Sequence, residues 1–217
     1  MPSFIVKGCA EHLIYPLIII FNLSLKTCSF SCFWKNTKVI PVHKVGDVKN
    51  CQNYRPIAIL SPFAKVFEIV IYKKIFSQVR GIVNDAQHGF FPHRSTQSNL
   101  YCLTSNIISA FETGCQLDVI YTDFSKAFDS LDFGIFLNKL SFMGFRADLV
   151  QWILSYLVDR FMYVYIRDSV SDGFKNGSGV PQGSNLGPLF FILFINDLCD
   201  SLKHSDFLLF ADDLKFF

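Results

Sequence analysis

Apolar residues recur along this chain with two different periods, and the changes of period mark its elements. Residues 11–26 are apolar almost throughout and read as a helix. Thr37 to Val42 reads as a short strand, and His43 to Arg55 as a basic, turn-rich loop. Ser61-Pro62 has the form of an N-cap followed by proline at the first helical position. Phe63, Val66, Phe67, Val70 and Ile71 then fall on one helical face, and Gly81 closes that helix. Ser95 caps a further helix that carries Leu100, Leu103, Ile107 and Phe111 and stops at Gly114. Leu117 to Phe124 reads as a buried strand. Helical spacing returns near 133–143 and 147–158, and Met162 to Arg167 starts a hairpin. Glycines stand at 177, 179, 183 and 187, after which Pro188 opens an all-apolar helix to Leu198. Phe207 to Phe217 reads as strand, Asp-Asp turn, strand. Helices and strands are mixed without strict alternation, so the expected class is α+β.

Composition bounds this picture. The 217 residues suit one large domain or two small ones. Hydrophobic residues at 51% against 18% charged exclude a disordered chain and allow a sizeable core, to which 25 Phe contribute. Leu13 to Phe21, preceded by Lys7, has the flavour of a signal peptide. Pro16 interrupts that run, no small-residue cleavage site follows, and it is far short of the roughly 20 residues that span a bilayer. It is therefore expected to be a core helix, and the triplet Asn22-Leu23-Ser24 carries no weight as a glycosylation site. The seven cysteines show no zinc-finger spacing and read as reduced thiols of an intracellular protein with no membrane association. A net charge of +2 conceals an asymmetry. Residues 1–100 hold 12 Lys+Arg against 4 Asp+Glu, a net +8, while residues 101–217 hold 8 against 14, a net −6. A basic half joined to an acidic half suggests a polyanion on one side and bound cations on the other.

Three constellations carry chemistry. Asp123 ends an apolar strand, and Asp212-Asp213 interrupts another apolar stretch. Carboxylates embedded in apolar strands are costly unless something positive compensates them. Two divalent cations held by carboxylates of neighbouring strands would do so, and such a pair suits phosphoryl transfer. An ordinary hairpin turn explains Asp212-Asp213 taken alone just as well. The second constellation runs from Ser178 to Pro188, where glycines permit close backbone approach and Gln182 offers both a donor and an acceptor. It lacks the Gly-Lys-Ser/Thr of a P-loop, and a plain loop capping a buried helix is the alternative. The third is basic: Lys35, Lys38, Lys44, Lys49 and Arg55, interleaved with Phe33, Trp34 and Tyr54. It is either a clamp for a triphosphate or nucleic-acid backbone, or a solvated face.

In this order the segments resemble the reverse transcriptase domain of non-long-terminal-repeat retrotransposons, particularly the jockey-like LINE elements, over nearly the whole chain. Trp34-Lys35 through Val39-Ile40-Pro41 and Lys44, with Asn53-Tyr54-Arg55-Pro56-Ile57, are similar to the fingers motifs. Gln87-His88-Gly89-Phe90 and His93-Arg94-Ser95-Thr96 resemble the next block. Asp123-Phe124-Ser125-Lys126-Ala127-Phe128-Asp129 resembles motif A of the palm. Trp152 and Ser155-Tyr156-Leu157 before Arg160 resemble the linking segment. Gly179-Val180-Pro181-Gln182-Gly183-Ser184 through Asn196-Asp197-Leu198 resembles motif B, and Phe210-Ala211-Asp212-Asp213 resembles motif C.

The resemblance implies a right-hand polymerase fold, with fingers over about residues 1–115 and palm over about 116–217. It implies RNA-directed DNA synthesis with two Mg²⁺ (or Mn²⁺), an RNA template, a DNA primer and deoxynucleoside triphosphates, in the nucleus and cytoplasm. It names no protein partner. Asp123, Asp212 and Asp213 match the catalytic, metal-binding aspartates. Phe128 matches the residue that excludes a ribose 2′-hydroxyl. Gln182 and Gly183 match motif B groups near the incoming nucleotide, and Lys44 and Arg55 match contacts to its triphosphate. Phe91 and Asn185 depart from the usual pattern without removing a catalytic group. The ends suggest a segment of a longer protein, lacking an upstream endonuclease and a downstream thumb, which would not polymerise processively alone. The competing expectation is a truncated, inactive relic that at most binds nucleic acid. A carboxylate hydrolase or glycosyltransferase would also use paired aspartates but leaves the basic and glycine-rich segments unexplained.

Overall fold

The computed structural model describes residues 3–217. In chain order its elements are α1 (Ser3–Gly8), α2 (Ala10–Lys26), β1 (Asn36–His43), β2 (Tyr54–Ile59), α3 (Pro62–Val79), α4 (Thr96–Glu112), β3 (Ile120–Asp123), α5 (Phe133–Phe142) and α6 (Ala147–Leu157). There follow β4 (Phe161–Ile166), β5 (Ser169–Val170), β6 (Phe174–Lys175), α7 (Gly187–Phe194), β7 (Phe207–Phe210) and β8 (Asp213–Phe216). Helices and strands are mixed as an α+β chain requires. They divide into two compact units, each assembled from two separate stretches.

The first unit comprises the residues up to Lys74 together with Phe128–Gly187. Its core is aromatic. Phe67 of α3 stacks on Phe21 of α2 at 4.2 Å and meets Trp152 of α6 edge-on at 5.2 Å. Phe30 packs edge-on against Tyr156 at 5.0 Å and Trp152 at 5.7 Å. The polar handles of these rings are used: Trp152 Nε1 donates to Ser24 Oγ at 3.0 Å, and Ser24 Oγ donates to Ser29 O at 2.6 Å. Trp34 belongs to this cluster, so core packing accounts for it. A five-stranded sheet lies in the same unit, in the order β2-β1-β4-β5, with β6 also on β4. β1 runs antiparallel to β2 and parallel to β4. Alternation along β1 buries Thr37 and Val39 and exposes Lys38 and Ile40.

The second unit comprises Ile75–Ala127 and Pro188–Phe217. Its sheet is β3-β8-β7, antiparallel throughout. The Ser95 cap is present and reciprocated by Ser98, a capping box that fixes the start of α4.

Four expectations need correction. α2 is not a core helix: only Phe21 and Ser24 are buried, while Tyr15, Ile19 and Leu23 are 77%, 68% and 58% exposed. A helix apolar all round does not encode which side will be covered. Even so, no helix among the described residues is long and apolar enough to cross a membrane. The supposed loop to Arg55 ends in strand β2, whose Pro56 hides a β pattern but sits at a sheet edge, where a missing N–H is tolerated. β3 is four residues long and exposed along its whole length, because it too is an edge strand. The helix after Pro188 ends at Phe194, and a 3₁₀ turn covers Asn196–Ser201.

One buried acid ties this core to the glycine-rich loop. Glu68 of α3 is fully buried. Its Oε1 accepts from the Tyr156 hydroxyl at 2.7 Å, and its Oε2 from the Asn185 backbone N–H at 2.7 Å. Burial raises its pKa above the ordinary 4.5, opposed by the two hydrogen bonds and by nearby Arg160 and Lys65. A raised carboxyl contributes stability that is complete below pH 4.5 and is lost as pH rises through the folded value. Glu68→Gln keeps an acceptor for Asn185 and removes the titration. Its stability relative to the parent should therefore improve as pH rises from 4 towards 8. Glu68→Ala strands both donors and should cost about 1–3 kcal/mol for the buried N–H. Urea unfolding across that pH range measures both, and equal pH dependence of parent and Glu68→Gln would refute the assignment.

Candidate active site

The three aspartates come together in the backbone of the second unit. Asp123, last in β3, is the cross-strand partner of Asp213, first in β8. Opposed residues of an antiparallel pair share a face, with Cα atoms about 4.5–5.5 Å apart. Asp212 precedes Asp213 in the turn between β7 and β8, so only Ala211-Asp212 forms the turn and Asp213 already belongs to the strand. Asp123 and Asp213 are exposed and Asp212 is half-buried. The cost of embedding a carboxylate in an apolar strand, which first drew attention to Asp123, is therefore absent. Its position opposite Asp213 is what carries weight.

A two-residue hairpin turn needs left-handed backbone, and Ala211 has φ 55°. A residue with a Cβ holds that conformation only when its surroundings impose it. Gln87, 2% exposed, does so. Its Oε1 accepts from Ala211 N–H at 2.9 Å and from Gly89 N–H at 2.8 Å, and its Nε2 donates to Ala211 O at 3.3 Å. The segment around it pairs with β7: His88 N–H donates to Leu209 O at 2.8 Å, and Leu209 N–H to Ala86 O at 2.9 Å. Gly89 lies so close that a Cβ there would stand 2.8 Å from Ala211 Cα and collide with its backbone nitrogen. The block from Gln87 to Phe90 is thus the mount for the Asp-Asp turn. Sequence reasoning quoted that block without giving it a role. The available signal was a glutamine two residues before a glycine, Gln87-His88-Gly89, ahead of the apolar pair Phe90-Phe91.

The remaining candidates belong to the first unit. Lys44 follows β1 directly, its N–H bonded to Asn53 O at 2.8 Å, and Arg55 opposes Val42 in the β1–β2 ladder. Both are exposed, and Ile40, Val42 and Ile59 are exposed on the face that carries Arg55. Lys35 does not join them. It is buried, and desolvation pushes its pKa down, partly offset by Asp159. The glycine-rich loop clasps Phe128-Asp129: Gly179 N–H donates to Leu131 O at 2.8 Å, Val180 N–H to Phe128 O at 2.9 Å, and Ser178 Oγ to Asp129 O at 2.8 Å. Gln182 Nε2 donates to Asp129 Oδ1 at 3.2 Å, and its carbonyl accepts from Ala58 N–H at 2.7 Å. Gly183, at φ 107°, passes so near β2 that a Cβ would lie 2.8 Å from Ala58 O. Gln182, Gly183 and Phe128 are therefore set by one another's backbone.

Gln87→Ala should remove the mount of the turn and strand two N–H groups, lowering stability by about 1–3 kcal/mol for each left buried and unpaired. Gly89→Ala should be at least as damaging. Denaturant unfolding tests both, and a Gln87→Ala variant as stable as the parent would show that the turn stands without its brace.

Comparison with known proteins gives the same picture. The protein named "Probable RNA-directed DNA polymerase from transposon BS" of Drosophila melanogaster is 32% identical over 203 residues, 92% of this chain and 22% of that protein. The "RNA-directed DNA polymerase from mobile element jockey" of the same fly is 28% identical over 190 residues, 84% of this chain and 20% of that protein. The chain thus spans about a fifth of the curated relatives it matches. In fold it is similar to apo telomerase from Candida tropicalis, with a TM-score of 0.61 at 11% identity over 84% of this chain and 39% of that one. A C-terminally truncated form of that telomerase matches with a TM-score of 0.55 at 14% identity, over 86% of this chain and 44% of that one. The likeness identifies the reverse transcriptase right-hand fold. The family model described as "Reverse transcriptase (RNA-dependent DNA polymerase)" matches residues 42–217, and the chain belongs to that family.

Proposed function

We propose that this chain is the catalytic segment of a non-long-terminal-repeat retrotransposon polymerase that copies an RNA template by extending a DNA primer with deoxynucleoside triphosphates. The observation that carries the reading is Asp123 opposite Asp213, with Asp212 in a turn braced from behind. Carboxylates at one end of a sheet are a hard-oxygen donor set, which suits Mg²⁺ or Mn²⁺. Among the described residues no group of three or more His, Cys, Asp or Glu side chains is arranged to hold an ion by itself. Reverse transcriptases use divalent metal ions. Two of them, held by Asp123, Asp212 and Asp213, would activate the attacking hydroxyl and neutralise charge on the phosphate.

Other residues bind and select. Lys44 and Arg55, exposed on one hairpin, offer cationic donors to a triphosphate. Phe128, its backbone clasped by Val180, would lie under the sugar and leave no room for a 2′-hydroxyl. Gln182 and Gly183 would present an amide and open backbone to the nucleotide. In this reading about residues 1–115 serve as fingers and 116–217 as palm, and the work is done where the element's RNA and chromosomal DNA are found, in nucleus and cytoplasm.

The test is primer extension on an RNA template, with the chain joined to the downstream segment of the transposon BS relative. Extension should require Mg²⁺ or Mn²⁺ and should fall to the enzyme-free level in Asp123→Asn and in Asp212→Asn, both still folded. Absence of extension, while the relative's own domain in the same context extends, would mark an inactive relic. Phe128→Ala should raise ribonucleotide incorporation far more than it alters deoxynucleotide use. An equal effect on both sugars would reduce Phe128 to packing.

A further inference from the structure

α2 is attached to the first unit along one side only. Phe21 and Ser24 are buried and Leu13 and Leu17 half-buried, whereas Glu11, Tyr15, Ile18, Ile19, Asn22 and Lys26 are exposed. At about 3.6 residues per turn, Tyr15, Ile19, Asn22 and Lys26 form one stripe opposite the buried side, with Glu11 and Ile18 next to it. Steps of four, three and four residues along a stripe are the spacing of a helix-pair seam. Beyond the open Tyr15, Ile19 and Leu23, Ile14 and Ile18 are each 50% exposed.

Area and charge order select the occupant. Large apolar side chains half or more exposed side by side on one helix exceed what a soluble monomer ordinarily leaves contiguous. Mating two such faces reaches about 1,000 Å² in total, the least area of a specific interface. The stripe also complements itself when turned end for end, because Glu11 stands in the first turn and Lys26 in the last. In an antiparallel pair with its twofold axis between Ile18 and Ile19, Glu11 meets Lys26 of the other copy, Tyr15 meets Asn22, and Ile14 meets Leu23. A twofold axis makes each of these contacts twice. Parallel alignment would set acid on acid and base on base. A polyanion finds no match, since Glu11 and Lys26 cancel. A helix lying on a lipid surface carries basic residues along its polar face, whereas Lys26 is the only Lys or Arg of α2. Glu11 and Lys26 also suit the dipole of a solitary helix, an account the experiment separates.

We infer that α2 docks antiparallel on α2 of a second copy of this chain, about a twofold axis between Ile18 and Ile19. The inference does not rest on the polymerase reading. The experiment is sedimentation velocity of the 217-residue chain over a range of concentrations, which should show a reversible monomer–dimer equilibrium. Ile19→Asp alters an exposed position, so it should keep the parent's circular dichroism and lose the dimer. Glu11→Lys and Lys26→Glu each turn both ion pairs into repulsions at once, and each should weaken dimerisation roughly tenfold. The double variant restores both pairs with exchanged signs and should recover the parent's dimerisation. On the solitary-helix account it would instead be the worst of the three, with a wrong charge at each end of the helix. That result would overturn the inference. So would a chain that stays monomeric, one that forms only open-ended aggregates, or dimerisation unchanged by Ile19→Asp. Cosedimentation with phosphatidylcholine vesicles in place of a dimer, lost in Ile19→Asp, would assign the face to lipid and overturn it as well.

Discussion

A residue with a side chain does not hold a left-handed backbone unless its neighbours make every alternative worse. Ala211 is in that position, and what surrounds it is one buried amide. Gln87 takes both the N–H and the carbonyl of Ala211, and the same oxygen takes Gly89 N–H. The arrangement is a small closed accounting of polar groups in the interior, and any slip of the turn would strand several of them at once. Asp212 and Asp213 follow Ala211 directly. Their direction is therefore influenced by a segment more than a hundred residues earlier in sequence, through the bonds of the Gln87 side chain to the Ala211 backbone. The ladder between that segment and Leu209 does the rest, because it fixes the register of β7 and so the place where the strand must turn.

The first unit uses the same device on its glycine-rich loop. Such a loop has many conformations to lose, and glycine loses more than any other residue. Three separate contacts oppose that freedom. Gly179 sits against the backbone of Phe128 and Asp129, Gly183 against Ala58, and the Asn185 N–H on the buried carboxylate of Glu68. Two of these contacts exclude any Cβ, and the third places an acid in the core. The loop is thus permissive in composition and over-determined in context. That combination lets backbone approach a ligand without leaving the loop mobile. Two of the buried ionisable groups of this region, Glu68 and Arg160, differ in kind. Glu68 has both oxygens satisfied, whereas Arg160 has its terminal nitrogens free of partners. The first holds the loop, and the second packs its guanidinium over the Tyr156 and Phe30 rings.

Much of the fold was legible because the apolar spacing is strong. α3, α4, α5 and α6 lie within a few residues of where the periodicity puts them, and the Ser95 cap is where its sequence says. The failures share a cause. α2 is apolar on nearly all sides, and β3 follows the apolar residues Val119 and Ile120, yet both leave large side chains in the open. Hydrophobicity states that a surface can be buried, and only the neighbours decide whether it is. β2 was hidden by Pro56, which argues against a central strand and says nothing against an edge. For the site, paired aspartates were legible as chemistry because carboxylates in apolar strands are uncommon. Gln87 and Glu68 were not, because a polar residue, whether in a polar run like Gln87 or alone among apolar ones like Glu68, looks like any solvated position until its partners, distant in sequence, are known.

The charge asymmetry of the two halves also changes meaning once burial is known. Five basic residues within a short span look in sequence like one patch. Lys35 is withdrawn into the core, where burial weakens its hold on a proton, and Lys38 lies over the Tyr165 ring at 4.1 Å. Lys44 and Arg55 stay exposed on one hairpin, beside apolar side chains that are also exposed. An exposed cation attracts a polyanion over about 8–10 Å at ordinary ionic strength and less in more salt. It therefore recruits without choosing. Choice requires groups already desolvated and fixed, since only these lose heavily to the wrong partner. The exposed charges of this chain, basic on the β1–β2 hairpin and acidic at the ends of β3 and β8, are suited to gathering phosphates and cations. Selectivity has to come from groups fixed before a ligand arrives, and the glycine-rich loop, held against Phe128, Asp129 and Ala58, is fixed in that way.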